Sequence, residues 1–553
     1  MTGPGAVPAT AGRYGTDTPG PRTAGRWKAR RLNLPNPLWG SNGVAFGPDG
    51  RLYVAQYLAG QISAVDPASG EVEVVVPMDG PVQSPDDLAF GADGSMYVAD
   101  LVPGIVWRRS PQGEYSVVSD QVKVPNGITC VGDRLFVNEM KTQGRLVELF
   151  PDGRDPVVLA EGLAMGNAMQ TGPDGCLYYP HMLTNQVWRV PTDGGAPEVV
   201  AEKVHDPVAV RFDQGGVMHV LSRGEAGFVT RIDLHGTGSR HLVTSGVTGL
   251  DNAAFDAENR MYVSSYATSG VVEMHPDGRT REIVPRGLAG PFGVTDLGGT
   301  VHVADHYRLA VPAEPAPDGT PGAGGGTTTQ LRPFAHGITA ADGLLHLTSQ
   351  YGEVRTYDPE QETTRVRASG LRRPTGIAAR PDGTLLVAET DAGRVLALAE
   401  DDTVTVLAEG FDRPVDVAVD AAGNCYVSDE VGGAVYRLAD GRAVPVAEGL
   451  AAPQGLTVLG EELYTVESGT RRLLALSLTT GEVRTEAEDL PVGPPPGTGP
   501  RTQPALFTHG MPGVPHRFAG LAAASDGTLL LSADGEGTVL RLTRRDGEKD
   551  AGT

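Results

Sequence analysis

The sequence predicts an all-β chain of two β-propellers, most simply with six four-stranded blades each. Three observations carry this. First, the stretch SNGVAFGPDGRLYVAQ (41–56) opens a series of twelve related copies. The place of Asn42 is taken in turn by Asp86, Asn126, Asn167, Val208, Asp251, Phe292, His336, Thr375, Val415, Gln454 and Ala519. Second, the steps between copies run from 39 to 44 residues until a last one of 65, a period typical of propeller blades. Third, each period holds four strand-length runs bounded by Gly and Asp turns, and no long amphipathic helix intervenes.

Within the first copy a short apolar run (Val44 to Phe46) leads into a turn on Asp49 and Gly50, and an alternating strand follows (Leu52, Tyr53, Val54). Third strands read as QISAVD (61–66), GRLVELF (144–150) and QVWRV (186–190). Fourth strands read as VEVVV (72–76) and PVVLA (156–160). Such β-branched alternation suits a half-buried pleated surface. A chain of 553 residues exceeds one ordinary domain, so the expected division is a leader over 1–25, a first propeller over 26–290, a second over 291–547 and a tail over 548–553. The leader, rich in Gly, Pro, Thr and Ala, reads as disordered and carries no secretory apolar segment.

The run RWKARRLNL (26–34) is an edge-strand candidate. The last copy meets the polar tail after three strands, and closure by the other terminus removes an exposed edge. This run therefore completes either the last blade or a blade of the first ring. Two insertions interrupt the second half. The low-complexity segment 312–329 reads as a loop. The segment 491–516 includes Leu506, Phe507, His509, Met511 and His516, and reads as a lid or as a plain surface loop.

Hairpin connectivity places the residue that opens strand one near the residue that ends strand two, 13 or 14 positions later. Both belong to one mouth of the central channel. The first six copies open with Asn42, Asp86, Asn126, Asn167, Val208 and Asp251, and return with Gln56, Asp100, Glu139, His181, Ser222 and Ser265. Five Asn or Asp side chains thus converge on one axis. Hard oxygen donors of this kind suit a divalent cation, Ca²⁺ first, with Mg²⁺, Mn²⁺ or, through His181, Zn²⁺ as alternatives. The expected ligands are Asp86, Asn126, Asn167 and Asp251. Glu139 and His181 are the candidates for proton transfer, and Asn42, Gln56 and Asp100 for substrate contacts. A water-filled polar channel without a metal is the competing reading. In the second mouth His336 faces an acidic rim of Asp305, Glu389, Asp429 and Glu467.

Repeats such as NGVAFGPDGRLYVAQ, DDLAFGADGSMYVAD and NGITCVGDRLFVNE resemble the family of gluconolactonase, regucalcin (senescence marker protein) and luciferin-regenerating enzyme. The resemblance covers the first half best. The second half, as in PTGIAARPDGTLLVAE, resembles NHL-type repeats and virginiamycin B lyase. The first resemblance implies a six-bladed propeller with one catalytic divalent metal. Its ligands would be an acid opening blade one, Asn in blades three and four, and an Asp in blade five that also acts as base. Asn126 and Asn167 match the two Asn positions. Asn42 stands in place of the acid and Val208 in place of the ligand-base, while carboxylates stand instead at Asp86 and Asp251. The lyase pattern pairs a His with a Glu 14 residues on; here His336 is followed by Gln350.

The formal net charge of -23 argues against nucleic acid and anionic membranes as partners, and no apolar run approaches a membrane span. The three cysteines (Cys130, Cys176, Cys425) have no paired spacing, which points to a reducing compartment, by default the cytoplasm. The leading expectation is a metal-dependent hydrolase of a small-molecule lactone or ester working in the first mouth. A lyase or cyclase acting on a specialised metabolite and a non-catalytic binding scaffold are the alternatives.

Overall fold

The computed structural model describes residues 12–14, 20–234, 236–313, 316, 325–439, 441–499, 506–508 and 511–545. These residues form eleven four-stranded sheets, one five-stranded sheet and one two-stranded ribbon. The four-stranded sheets are antiparallel meanders, the blades of a β-propeller. In the first, Val44–Phe46 pairs with Leu52–Gln56, which pairs with Gln61–Val65, which pairs with Val72–Val76. The Asp-Gly turn of the repeat explains its hairpin. Gly50 holds a φ of 78°, and Asp49 Oδ1 accepts the Arg51 amide at 3.2 Å.

The chain divides into two compact units. One is built on 36–289, the other on 290–496 and 515–545 together with 20–35. In the first unit the innermost strands of successive sheets lie side by side in a closed cycle, and Leu250–Phe255 returns to Val44–Phe46. The second unit closes in the same way, from Pro291–Leu297 round to Leu521–Ala523. Apolar side chains fill the wedges between sheets. Val44, Leu52, Val54 and Val65 of the first sheet join Tyr262, Val271 and Val284 of the sixth in one buried cluster.

Polar-Gly pairs recur at the strand openings because neighbouring backbones almost touch there. Gly43 N donates to Asp86 O at 2.7 Å, and a Cβ on Gly127 would stand 2.1 Å from Asn167 O. No larger residue fits at that spacing without moving a strand.

The terminal strand falls in the second unit. Trp27–Arg31 pairs antiparallel with Thr538–Arg544 as the outer strand of the last sheet, which corrects the expected start of the first propeller at residue 26. The physical reason is the free edge that Thr538–Arg544 would otherwise present. Trp27 has no exposed surface and meets Tyr464 edge-on at 5.9 Å. The expected disordered leader is also in part structured. Arg22–Thr23 adds a fifth strand beside Val483–Glu488, and Tyr14 donates to Val492 O and Gly493 O at 2.5 and 2.8 Å. The insertion expected over 312–329 ends earlier, since Thr327–Leu331 is already an outer strand. Within the expected lid, Val492 is a core residue, whereas His509 lies outside the described residues; so does the tail 548–553. No helix among the described residues is long and apolar enough to cross a membrane.

Replacing the buried Trp27 indole by a methyl group opens a cavity at the closing seam. Trp27→Ala is expected to destabilise the second unit by about 3–5 kcal/mol. Hydrogen exchange read by mass spectrometry should show faster exchange in 538–544, with the strands of 36–289 unchanged.

Candidate active site

Asn42, Asp86, Asn126, Asn167 and Asp251 are all buried at the first unit's channel, and Asp86 bonds two of the others. Asn42 Nδ2 donates to Asp86 Oδ1 at 3.4 Å, and Asn126 Nδ2 donates to Asp86 Oδ2. The Asn126 Oδ1 atom is buried with no hydrogen-bond partner. Asn167 is oriented otherwise. Its Oδ1 accepts the Ala168 amide at 2.6 Å, and its Nδ2 faces the thioethers of Met140 and Met182, each at 3.4 Å. One of the two lone pairs of its oxygen is therefore engaged. Val208 lies in a buried apolar cluster, as its side chain dictates. Asp251 has no hydrogen-bond donor among the described residues.

Beneath this ring lies a second polar layer. Arg211, from the inner strand Pro207–Phe212, reaches into the channel. It donates to the backbone oxygens of Ala253 at 2.7 Å and of Met169 and Val210 at 2.9 Å, and to Asn252 Oδ1. Asn252 Nδ2 in turn donates to Asp87 Oδ1 at 2.9 Å, and Asp87 also accepts the amides of Leu88 and Ile128. This chain of contacts ties together the inner strands of several sheets and fills the channel below the mouth.

Of the three buried carboxyl groups Asp86, Asp87 and Asp251, the last two feel the charge of the buried Arg211 guanidinium. Burial, with the charge of Asp87 added and the Asn126 amide opposing, raises Asp86 to about 7. Burial raises Asp87 to about 6 against the pull of Arg211. Asp251 is raised well above the usual carboxylate range by burial and by the charges of Asp86 and Asp87. Fully ionised, the group would carry a net charge of about minus two. Protons or a cation must make up the difference. Among the described residues no three His, Cys, Asp or Glu side chains form a metal cluster.

The returning ring has a different task from the one expected. Its side chains clasp the loop that leads into their own blade. Gln56 Oε1 accepts the Trp39 amide, and Asp100 accepts those of Gln83 and Ser84. Glu139 has no exposed surface. It accepts the Lys123 amide at 2.9 Å and the Arg145 guanidinium at 2.7 Å. Burial alone would raise this carboxyl, but Arg145 and the Lys123 amide outweigh it and hold it below the ordinary value. Glu139 is an anchor, and so are Gln56 and Asp100; none presents a free group to a substrate. The acidic rim of the second unit repeats the device. Asp305 accepts the Gly290 amide, Glu389 that of Arg372, Asp429 those of Asp412 and Arg413, and Glu467 that of Ala451.

The clasp explains why the residue one step further on faces the ring. Successive side chains on a strand point to opposite sides. Thus Met140 meets Asn126 Nδ2 at 3.0 Å, and Met182 meets Asn167. These thioethers were legible only as a column shifted by one. Arg211 was legible as the single charge in PVAVRF. His181 ends strand two beside Trp188, with ring centres 4.9 Å apart, and its Nε2 is buried without a partner.

Fold and site together define a β-propeller protein with a buried carboxylate-amide mouth. No family model matches the sequence, and no curated protein matches it. Among solved structures, a virginiamycin B lyase from Staphylococcus aureus is similar at 17% identity over 50% of this chain and 96% of that one, with a TM-score of 0.37. A gluconolactonase from Xanthomonas campestris is similar at 15% identity over 48% and 96%, TM-score 0.37. The extracellular domain of a putative one component system from B. thetaiotaomicron is similar at 9% identity over 94% and 82%, TM-score 0.31. The chemistry of this chain is read from its own residues.

Burial lowers His181 from 6.5 to about 4. Because the folded value lies below the unfolded one, the neutral ring favours folding above the unfolded value, and that contribution is lost as pH falls from 6.5 towards 4. The imidazole resonances of His181 in ¹⁵N-labelled protein should stay fixed between about pH 8 and about pH 5. A midpoint near 6.5 would contradict its burial.

Proposed function

We propose that the first unit is a hydrolase of a lactone or ester, with its active site in this mouth and a divalent cation held by Asp86, Asp251 and Asn126. The observation that carries the reading is the imbalance of buried charge. Three buried carboxyls raise one another's charge cost, one guanidinium acts on two of them, and Asn126 Oδ1, buried without a donor, belongs to the amide bonded to Asp86. Hard oxygen donors of that composition suit Ca²⁺ before a softer ion.

A bound divalent cation supplies Lewis-acid polarisation of a substrate oxygen. The chain's own residues do the rest. Asn42 orients the Asp86 carboxylate. Arg211 and its backbone partners fill the channel below, so substrate and water enter from the mouth. His181, neutral at physiological pH and unpartnered at Nε2, is the candidate to accept a proton. Glu139 is excluded from that role by its ion pair. A second reading, a lyase or cyclase at the same mouth, draws on Asp86: a carboxyl raised to about 7 is poised to take a proton from carbon. The unpaired cysteines, Cys130, Cys176 and Cys425, suit a reducing compartment such as the cytoplasm.

Asp86→Asn and Asp251→Asn each remove a charge while keeping the side-chain shape. Each should weaken Ca²⁺ or Mn²⁺ binding in calorimetry by about tenfold or more, and the double variant should lose both cation binding and lactone turnover. In the cation-free protein Asp251→Asn should instead raise the unfolding midpoint, because a buried like charge is gone. The sign with pH follows. Asp86 has a folded value above its unfolded one, so its contribution is present below about 4 and is lost as pH rises through about 7. Added cation should offset that loss. Wild-type protein without cation binding, yet unchanged in turnover by chelator, would favour the lyase reading; absence of both binding and turnover would leave a binding scaffold.

A further inference from the structure

The second unit's mouth is aromatic where the first is acidic. Phe292 and His336 open two adjacent inner strands, and their ring centres lie 4.5 Å apart. Phe518 stands 5.4 Å from His336. His306 lies 5.9 Å from Phe292 and 5.7 Å from Phe334. His336 and His306 are 1% and 2% exposed. A partly open cavity of about 210 Å³ runs along the inner strands from this group, bordered by Phe518, Gly293 and Gly337, the last two directly following Phe292 and His336, and by Asp416.

Hydrogen bonding settles which nitrogen of His336 carries its proton. Gln350 Oε1 accepts the backbone amide of His516 at 2.7 Å, which fixes the orientation of the Gln350 amide. Its Nε2 is therefore the donor, to His516 O at 3.0 Å and to His336 Nε2 at 2.6 Å. His336 accepts at Nε2, so a neutral ring bears its hydrogen on Nδ1. That Nδ1 is buried and has no partner. The Tyr351 hydroxyl, which can donate or accept, lies 3.4 Å from His306 Nε2, and the Nδ1 of that ring is likewise buried and unpartnered. Buried N–H groups without acceptors are rare in folded proteins. His306 and Phe334 also hold φ values of 32° and 50°, in the left-handed region, and backbone strain of this kind collects at ligand clamps.

Charge decides what kind of acceptor belongs there. Burial lowers His306 to about 3 and His336 well below its ordinary value, so neither ring is cationic at neutral pH. Glu430 is ionised nearby. Burial alone would raise it, but His516, Gln454 and Arg413 outweigh burial and hold it at about 2. His516 Nε2 lies 3.1 Å from its carboxylate, in the residue whose backbone Gln350 grips. An anionic ligand would meet the negative charge of Glu430.

We propose that the second mouth is a separate binding site for a flat, uncharged molecule bearing a carbonyl oxygen, packed on Phe292 and Phe518 and held through that oxygen by His336 Nδ1–H. The rings supply dispersion and shape, and the donor supplies direction. The site stands independently of the cation in the first mouth.

Three probes separate the terms: coumarin, which is flat, neutral and has a carbonyl; naphthalene, which lacks the acceptor; and coumarin-3-carboxylate, which adds a negative charge. Calorimetry on the full chain should find coumarin bound, and the other two weaker by about tenfold or more. Coumarin should also shift the ¹⁵Nδ1–H signal of His336. His336→Phe, which keeps a ring and removes the donor, and Phe518→Leu, which keeps the donor and removes a ring, should each weaken coumarin by about tenfold. The Asp86→Asn, Asp251→Asn double variant should bind it as wild type does. Coumarin unbound at about 1 mM, naphthalene bound equally well, or an unmoved His336 signal would overturn the proposal whatever the variants do. Loss of coumarin binding in the Asp86→Asn, Asp251→Asn variant would place it in the first mouth and overturn it as well.

Discussion

The contact on which the rest of this structure depends is backbone against backbone at the strand openings. Gly43 N reaches Asp86 O, Val210 N reaches Ala168 O, and Gly520 N reaches Phe292 O. These bonds join one sheet to the next and bring each ring of inner strands to closure. The approach is so close that the residue after several of the opening side chains is Gly. The same closeness forces the opening side chains onto a shared axis. Whatever residue types stand in that column are then concentrated in one small volume, largely removed from water.

Concentration has an electrostatic consequence that differs between the two units. In the first, carboxyls gather faster than cations, and burial raises Asp86, Asp87 and Asp251 instead of letting them ionise freely. Arg211 relieves part of this and closes the channel at the same time. In the second, the column reads Phe292, His336, Thr375, Val415, Gln454 and Ala519, and the mouth becomes a set of neutral donors among rings. Thr375 is fully used, with its hydroxyl donating to Val415 O at 2.7 Å. One architecture therefore carries two chemically distinct mouths, and the difference lies in one column of residues.

The clasp at the ends of the second strands shows why acidic residues are poor guides to chemistry in this fold. Asp100, Glu139, Asp305, Glu389, Asp429 and Glu467 look like converging catalytic groups when only their positions in the repeat are known. Each accepts a backbone amide from the loop about 16 residues earlier, a contact of the sort that satisfies orphan donors at loop ends. Channel residues with unmet hydrogen-bonding capacity, among them Asn126 at Oδ1 and His306 and His336 at Nδ1, are less conspicuous in the sequence and more informative in space.

The sequence by itself determined the strand content, the twelvefold repeat, the turn chemistry and which residue types reach the channel, because all of these are local or periodic and each repeat unit must bury one face against the next. It also carried the asymmetry between the two mouths. Tertiary structure decided what periodicity does not encode. The strand Trp27–Arg31 went to the last sheet because a free edge there needed a partner some 500 residues away in the chain. Arg211 proved to offset part of the charge of Asp87 and Asp251, reaching Asp87 through Asn252, because its strand brings it to their buried layer. Glu139 was spent on Arg145 and Lys123, and one lone pair of Asn167 on the Ala168 amide, because a hydrogen bond consumes a lone pair wherever the nearest donor happens to lie. A repeat specifies which side chains arrive at the axis; only the folded neighbours determine which arrive unpaired.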